Sequence, residues 1–224
     1  MSGAARRTER SNREPKVSAI LLAAGLSTRF GSPKQLAELE GDALVRRALD
    51  MLERSPVDEV VVVLGHRASE VGKVVFGAKA RVIFNEEYKS GMASSIRAGL
   101  AALGRDSRAV VICLADQPLV SPRLIGRIVS RWRSTGADVV ASSSQGLVSP
   151  PVLFSRRLYH ELAKLRGDRG AKVVIERHPD FETVPVRGGA LLDIDSKEEL
   201  LLAQDALRRL ALRRPARARA DDGP

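Results

Sequence analysis

The chain has 224 residues, 44% of them hydrophobic and 29% charged, a composition that supports one packed domain and excludes wholesale disorder. No run of about 18 uncharged apolar residues occurs, which excludes a transmembrane helix. The single cysteine, Cys113, excludes an internal disulfide framework and a cysteine-only zinc cluster.

The formal net charge of +10 invites a nucleic-acid reading, but its distribution argues otherwise. Within residues 1–16, Arg6, Arg7, Arg10, Arg13 and Lys16 face only Glu9 and Glu14. Within 205–224, Arg208, Arg209, Arg213, Arg214, Arg217 and Arg219 face Asp205, Asp221 and Asp222. More than half of the excess therefore sits in two basic ends, expected as disordered tails, with a domain over 17–204 between them. The segment Met1 to Lys16 has no apolar stretch of the kind a secretory signal needs, so a cytoplasmic protein is expected.

In chain order, Val17–Leu22 reads as a buried strand, followed by a Gly-containing loop from Ala23 to Lys34. Asp42 is placed to cap a helix through Leu44, Val45, Ala48, Leu49 and Leu52. Glu59–Leu64 reads as a strand whose β-branched run suits a parallel sheet covered on both faces. Arg81–Phe84 follows as a short strand, and Met92–Leu103 as a helix capped by Ser90. Ala109–Leu114 is a continuously apolar strand ending at Asp116. Pro122–Arg133 reads as a helix, Ala137–Ala141 and Val152–Phe154 as strands, and Arg157–Leu165 and Gly170–Arg177 as helical. Glu182–Val186 and Ala190–Ile194 read as late strands. Ser196 and Glu199 form a capping box that opens a last helix, ended by Pro215. Alternating strands and helices predict a single α/β domain, a mostly parallel sheet with helices on both faces. Ligands of such sheets sit at the carboxyl ends of strands, which singles out the loops after Leu22 and Leu114.

The first of those loops matches neither the dinucleotide nor the Walker fingerprint. Its small residues, Ala23, Ala24 and Gly25, let a ligand approach the backbone, and Arg29 and Lys34 add two cations suited to phosphate. Asp116, just past a buried strand, is placed to hold a hard cation such as Mg²⁺ that bridges phosphate oxygens. A second oxygen ligand is expected from Asp193 or Asp195. Period-two spacing in a strand puts both on one face, and Asp195 has the alternative of capping the last helix, which favours Asp193. Gly91, Ser94 and Ser95 stand at a helix start, where hydroxyls and free N–H groups read a base edge or ribose. His66, His160 and His178 show no metal spacing; Cys113 and Trp132 read as core.

The run Leu22-Ala23-Ala24-Gly25, with Ser27, Arg29, Gly31, Lys34, Gln35 and Leu36 at their spacings, resembles the signature loop of the MobA-like NTP transferases. Within that family it is similar to the molybdenum cofactor cytidylyltransferases of the MocA type. Four further stretches carry the resemblance in the same order: Asn85 to Leu100, Leu114-Ala115-Asp116-Gln117-Pro118, Gly167-Asp168-Arg169-Gly170-Ala171 and Leu192-Asp193-Ile194-Asp195. The resemblance implies a nucleotide-diphospho-sugar transferase-like fold and CTP as nucleotide donor. Leu22, Ala23, Ala24, Gly25, Gly91 and Ser95 would hold the nucleotide, Arg29 and Lys34 the triphosphate, and Asp116 and Asp193 the Mg²⁺, with Asp195, Gln117 and Asp168 nearby. Ala24, where guanylyl-transferring relatives carry glycine, narrows the base pocket toward a pyrimidine. A pterin phosphate is the implied acceptor, with a molybdoenzyme client or its maturation factor as further partner; nucleic acid and membrane are not expected partners. One segment departs from the pattern: Leu147-Val148-Ser149-Pro150-Pro151 lacks the Arg and Asn that the family often carries there, which leaves the acceptor open. GTP as donor, another phosphorylated acceptor and a non-catalytic cofactor carrier are the competing readings.

Overall fold

The computed structural model describes residues 14–212. The chain runs through β1 (Val17–Ala23), β2 (Glu38–Leu39), β3 (Asp42–Ala43), α1 (Leu44–Glu53), β4 (Glu59–Leu64), α2 (Ala68–Val75), β5 (Arg81–Phe84) and α3 (Met92–Ala101). It continues through β6 (Ala109–Leu114), α4 (Pro122–Thr135), β7 (Val139–Ser144), β8 (Leu147–Ser155), α5 (Tyr159–Leu162), α6 (Lys172–Arg177), β9 (Glu182–Pro185) and α7 (Lys197–Leu212). Seven strands form one sheet in the order β5-β4-β1-β6-β8-β7-β9. Only β8 runs against the others. The fold is a single α/β domain built on a mostly parallel sheet with helices on both faces, as the alternation of strands and helices predicts.

The apolar runs are continuous because the sheet is covered on both faces. Ala19, Leu21 and Ala23 of β1 pack on one side with Val45, Leu49 and Ile125. Ile20 and Leu22 pack on the other with Ile96 and Leu162. β4 and β6 alternate in the same way, and Cys113 and Trp132 lie buried in the first of these cores. Each fully buried Leu, Ile or Val contributes about 1.5–3 kcal/mol, which makes these central strands the rigid frame of the molecule.

The chain leaves β1 toward β4 and β5 on one side, then returns to add β6 on the other. The connections thus diverge between β1 and β6, and a crevice opens at their carboxyl ends.

Several local expectations change. Asp42 does not cap α1; it pairs with Leu39 in the small β2–β3 ladder, and Ala43 is the capping position, with no side-chain bond. Ser90 does not cap α3 either. Its hydroxyl donates to the Glu87 carbonyl, and Gly91 takes the cap position at φ 104°. α2 escapes the sequence reading because only Val71 and Val75 of its two turns are buried and Gly72 interrupts it. The short strand expected at Val152–Phe154 is the inner half of a nine-residue strand that forms a hairpin with β7. α5 and α6 are shorter than expected. Ala190–Ile194 is not a strand: a 3-10 turn spans Gly188–Leu191, and 192–195 are irregular. The capping box does form, with the Glu199 amide donating to Ser196 Oγ at 3.2 Å and the Ser196 amide to Glu199 Oε2 at 2.8 Å. Pro215 and most of both basic ends lie outside the described residues. Of the N-terminal stretch, Glu14 pairs with Arg133 at 2.6 Å and Lys16 with Asp106.

Candidate functional site

A cleft of about 310 Å³ opens at the carboxyl ends of β1 and β6. Its wall after β1 is the loop expected from the sequence, and hydrogen bonds hold that loop in shape. Ser27, at φ 57°, accepts the Lys34 amide on Oγ at 3.1 Å and donates to Gln35 Oε1 at 3.2 Å. Gln35 is buried and donates from Nε2 to the Gly25 carbonyl at 2.8 Å. Ser27 and Gln35 were visible as letters in the loop pattern, but their role in closing it appears only in three dimensions. Leu22, Ala24 and Gly25 line the cleft, while the Ala23 side chain packs into the core beneath. The Ala24 methyl faces Gly65, where an added Cβ would come within 2.8 Å of it and 2.5 Å of Tyr88 Cβ. Gly65 therefore keeps Ala24 and Tyr88 close together, a constraint no sequence motif signalled. His66 lies beside the Tyr88 ring, with centroids 6.3 Å apart.

The opposite wall is the start of α3. The buried Asn85 donates from Nδ2 to Ser94 Oγ at 2.8 Å and Ser95 Oγ at 3.0 Å, and accepts the Glu87 amide on Oδ1 at 3.0 Å. Ser94 spends its own hydrogen on the Glu87 and Gly91 carbonyls. Ser95 keeps its hydrogen for the cleft it lines. Asp168 accepts the Met92 amide on Oδ1 at 3.2 Å and so ties the 167–171 turn to the start of α3. At Gly91 an added Cβ would lie 2.6 Å from Asp168 Oδ1 and from the Gly167 backbone, so glycine is required by both φ and space.

On the floor, Asp116 leaves β6 with its carbonyl accepting the Ile194 amide at 2.9 Å, which draws the irregular 192–195 segment into the site. Lys34 Nζ lies 2.5 Å from Asp116 Oδ2 and 2.6 Å from Asp195 Oδ1, and Arg29 Nη1 lies 3.4 Å from Asp195 Oδ2. Asp193 turns elsewhere and accepts from Gln117 Nε2 at 2.9 Å. That same amide nitrogen donates to Ser149 Oγ at 3.2 Å. The expected shared face for Asp193 and Asp195 is thus corrected: with no strand there, one carboxylate goes to Gln117 and the other to the two cations. Asp195 does not cap α7, since Ser196 does.

The charges are unevenly satisfied. Burial alone would pull the Lys34 ammonium down, but Asp116 and Asp195 hold it above its ordinary range. The Lys34 hydrogen bond holds the Asp195 carboxyl below the usual carboxylate range. Asp193 is pushed up to about 6 by the protein packed around it and by the neighbouring charge of Asp116. Asp116 Oδ1 is buried and has no hydrogen-bond partner, a costly state for a carboxylate oxygen. An unmatched carboxylate oxygen beside a second, uncomfortable carboxylate fits a divalent cation that keeps further sites for phosphate oxygens. Among the described residues no cluster of three or more metal-ligating side chains occurs. The fit is therefore to a cation completed by its substrate.

Residues 19–182 match the family model described as the MobA-like NTP transferase domain. The chain belongs to the MobA-like NTP transferase family. It is 33% identical over 174 residues to nicotine blue oxidoreductase of Paenarthrobacter nicotinovorans, a match covering 74% of this chain and 84% of that one. It is 35% identical over 147 residues to the 2-C-methyl-D-erythritol 4-phosphate cytidylyltransferase of Thermobifida fusca, covering 62% of this chain and 58% of that one. Among solved structures, the manganese complex of Rv0371c from Mycobacterium tuberculosis superimposes with a TM-score of 0.74 at 27% identity, covering 85% of this chain and 99% of that one. The family match places the chain in the nucleotidyltransferase superfamily. Among the described residues no helix is long and apolar enough to cross a membrane.

Proposed function

We propose that the protein transfers CMP from CTP to the terminal phosphate of a molybdopterin-type cofactor and releases pyrophosphate. The observation that carries this reading is the orphaned Asp116 Oδ1 on the floor of a cleft whose rim holds Lys34 and Arg29. A buried carboxylate oxygen without a partner below and two cations above it match a metal-bound triphosphate.

In this reading an oxygen of the acceptor phosphate attacks the α-phosphorus of CTP. One P–O bond forms, the bond to the β-phosphate bridging oxygen breaks, and the electron pair leaves with pyrophosphate. The attacking phosphate is already ionised at neutral pH, so no general base is required. Mg²⁺, held by Asp116 and Asp193, would neutralise charge on the phosphate oxygens. Lys34 and Arg29 exchange Asp195 for the β- and γ-phosphates and stabilise the leaving group. Ser95 and the α3 start orient the ribose and base, and Ala24 in the cleft wall leaves room for a pyrimidine. The acids and cations do not react; they position the two phosphates in line.

Calorimetric titration with CTP and, separately, GTP in the presence of Mg²⁺ tests the donor. Tighter CTP binding that is lost in Asp116→Ala supports the reading. Preferential GTP binding moves the chain to guanylyl transfer. Binding without turnover on any phosphorylated acceptor turns it into a cofactor carrier.

A further inference from the structure

We propose that a basin between α5 and α6 binds a small oligophosphate anion, and that the bound anion fastens the 163–171 loop onto the start of α3. The basin holds about 420 Å³, within the range of about 300–1,000 Å³ typical of small-molecule sites, and shares no residue with the nucleotide cleft. Lys164, Arg166 and Arg177 line it, all exposed. Among the described residues none of these three side chains has a hydrogen-bond or ion-pair partner. Cations close by in the chain are neutralised: Arg157 pairs with Asp138, and Arg169 with Glu176 at 2.7 Å. One acid lines the basin, Glu161, and its Oε1 lies 3.0 Å from His178 Nε2. His160 completes the polar lining, with Nδ1 2.9 Å from the Arg157 carbonyl oxygen and Nε2 left for a ligand. Three cations against one acid leave the basin with an excess of positive charge.

That charge selects the ligand. An exposed cation holds a single counter-charge weakly, so an anion gains affinity here by meeting several at once. Arg offers parallel N–H donors to one phosphate group, and Lys a point charge. An oligophosphate spreads its charge over successive groups, so one end can meet Arg177 on α6 while the other meets Lys164 and Arg166 on the loop. Inorganic phosphate brings only one such group. The loop in question also braces the nucleotide cleft. The Leu165 carbonyl accepts from Arg97 Nη1 at 2.8 Å, the Gly167 carbonyl accepts the Ala93 amide at 3.0 Å, and Asp168 Oδ1 accepts the Met92 amide at 3.2 Å. An anion that ties the loop to α6 removes part of the loop's freedom, and those three bonds carry the effect into α3.

The test titrates inorganic pyrophosphate into the full chain at fixed pH without divalent cations and follows the ring protons of its three histidines by NMR. His160, assigned by its loss in His160→Gln, reports the basin, and His66, beside Tyr88 in the cleft wall, reports the nucleotide cleft. The His160 signals are expected to saturate at a concentration at least 10-fold lower than with inorganic phosphate. The double variant Arg166→Ala/Arg177→Ala, at exposed positions that the fold tolerates, is expected to raise that concentration at least 10-fold and to leave the His66 response as it was. With pyrophosphate bound, the Met92 and Ala93 amides should exchange with solvent at least 3-fold more slowly, and the double variant should lose that slowing. A response at His66 with His160 unmoved puts pyrophosphate in the cleft alone and overturns the site. Equal affinity for inorganic phosphate, or a His160 response that survives the double variant, overturns it as well. Saturation at His160 with unchanged Met92 and Ala93 exchange overturns the fastening of the loop.

Discussion

Replacing Asp193 by Asn is expected to stabilise the protein free of divalent cations while removing its response to them. The carboxyl of Asp193 is lifted from 3.8 to about 6 by the surrounding protein and by Asp116. Asp193 is exposed, so solvent screening discounts the cost of holding it ionised at pH 8 to about 1 kcal/mol. Asn keeps the shape, and its Oδ1 still accepts from Gln117 Nε2, which lies 2.9 Å from the Asp193 oxygen. The folded state binds the Asp193 proton more tightly than the unfolded chain does. The wild type therefore loses stability as pH rises from about 4 to 6, and the advantage of Asn grows over the same window and is full above it. At about 2–4 °C per kcal/mol for a chain of this size, the variant should melt about 2–4 °C higher in EDTA at pH 8 and equally at pH 4. Adding Mg²⁺ with CTP should raise the wild-type midpoint and leave the variant's nearly unmoved. A variant that melts lower than wild type in EDTA at pH 8, or that keeps the full response to Mg²⁺ and CTP, would refute the assignment of Asp193 as an ill-matched carboxylate awaiting a cation.

Three more outcomes follow from the same geometry. Asp195→Asn removes one of the two carboxylates that hold Lys34 and the one beside Arg29, so triphosphate affinity by calorimetry should rise about 2- to 5-fold. The Mg²⁺ concentration for half-maximal turnover should stay the same, and a large shift in it would make Asp195 a metal ligand. Ala24→Gly removes a methyl from the cleft wall, worth about 1 kcal/mol of discrimination, and should raise GTP affinity relative to CTP roughly 5-fold in parallel titrations. Gly91→Ala must place a methyl 2.6 Å from Asp168 Oδ1 at φ 104°, at a cost of about 1–3 kcal/mol. Its melting temperature and its CTP affinity should both fall, and an unchanged CTP affinity would separate the α3 start from the nucleotide site.

The central sheet was legible because its signal is local and redundant. Val60 to Val63, or Ala109 to Leu114, are apolar on every residue, and only strands covered on both faces tolerate that. The position of Asp116 follows from the same pattern, since it is the first acid after such a run. The family, too, was written in short motifs that keep their order. Weakly amphipathic pieces were not legible: α2 buries two residues, and the outer half of β8 carries two prolines and exposed Leu147.

The sequence by itself determined which residues come to the site: the loop ending at Lys34, the acid after β6, the paired aspartates near the C-terminus. Tertiary structure alone decided what each of those groups does there. Asp193 and Asp195 are two residues apart, and the one local distinction between them, a cap by Asp195 on the last helix, is not realised, since Ser196 takes that place. Lys34, 161 residues from Asp195, takes one, and Gln117 takes the other. Periodicity reports the environment of a segment averaged along its length. The fate of one carboxylate is set by the few polar and charged groups within about 3 Å of it, and those are brought there only by the fold.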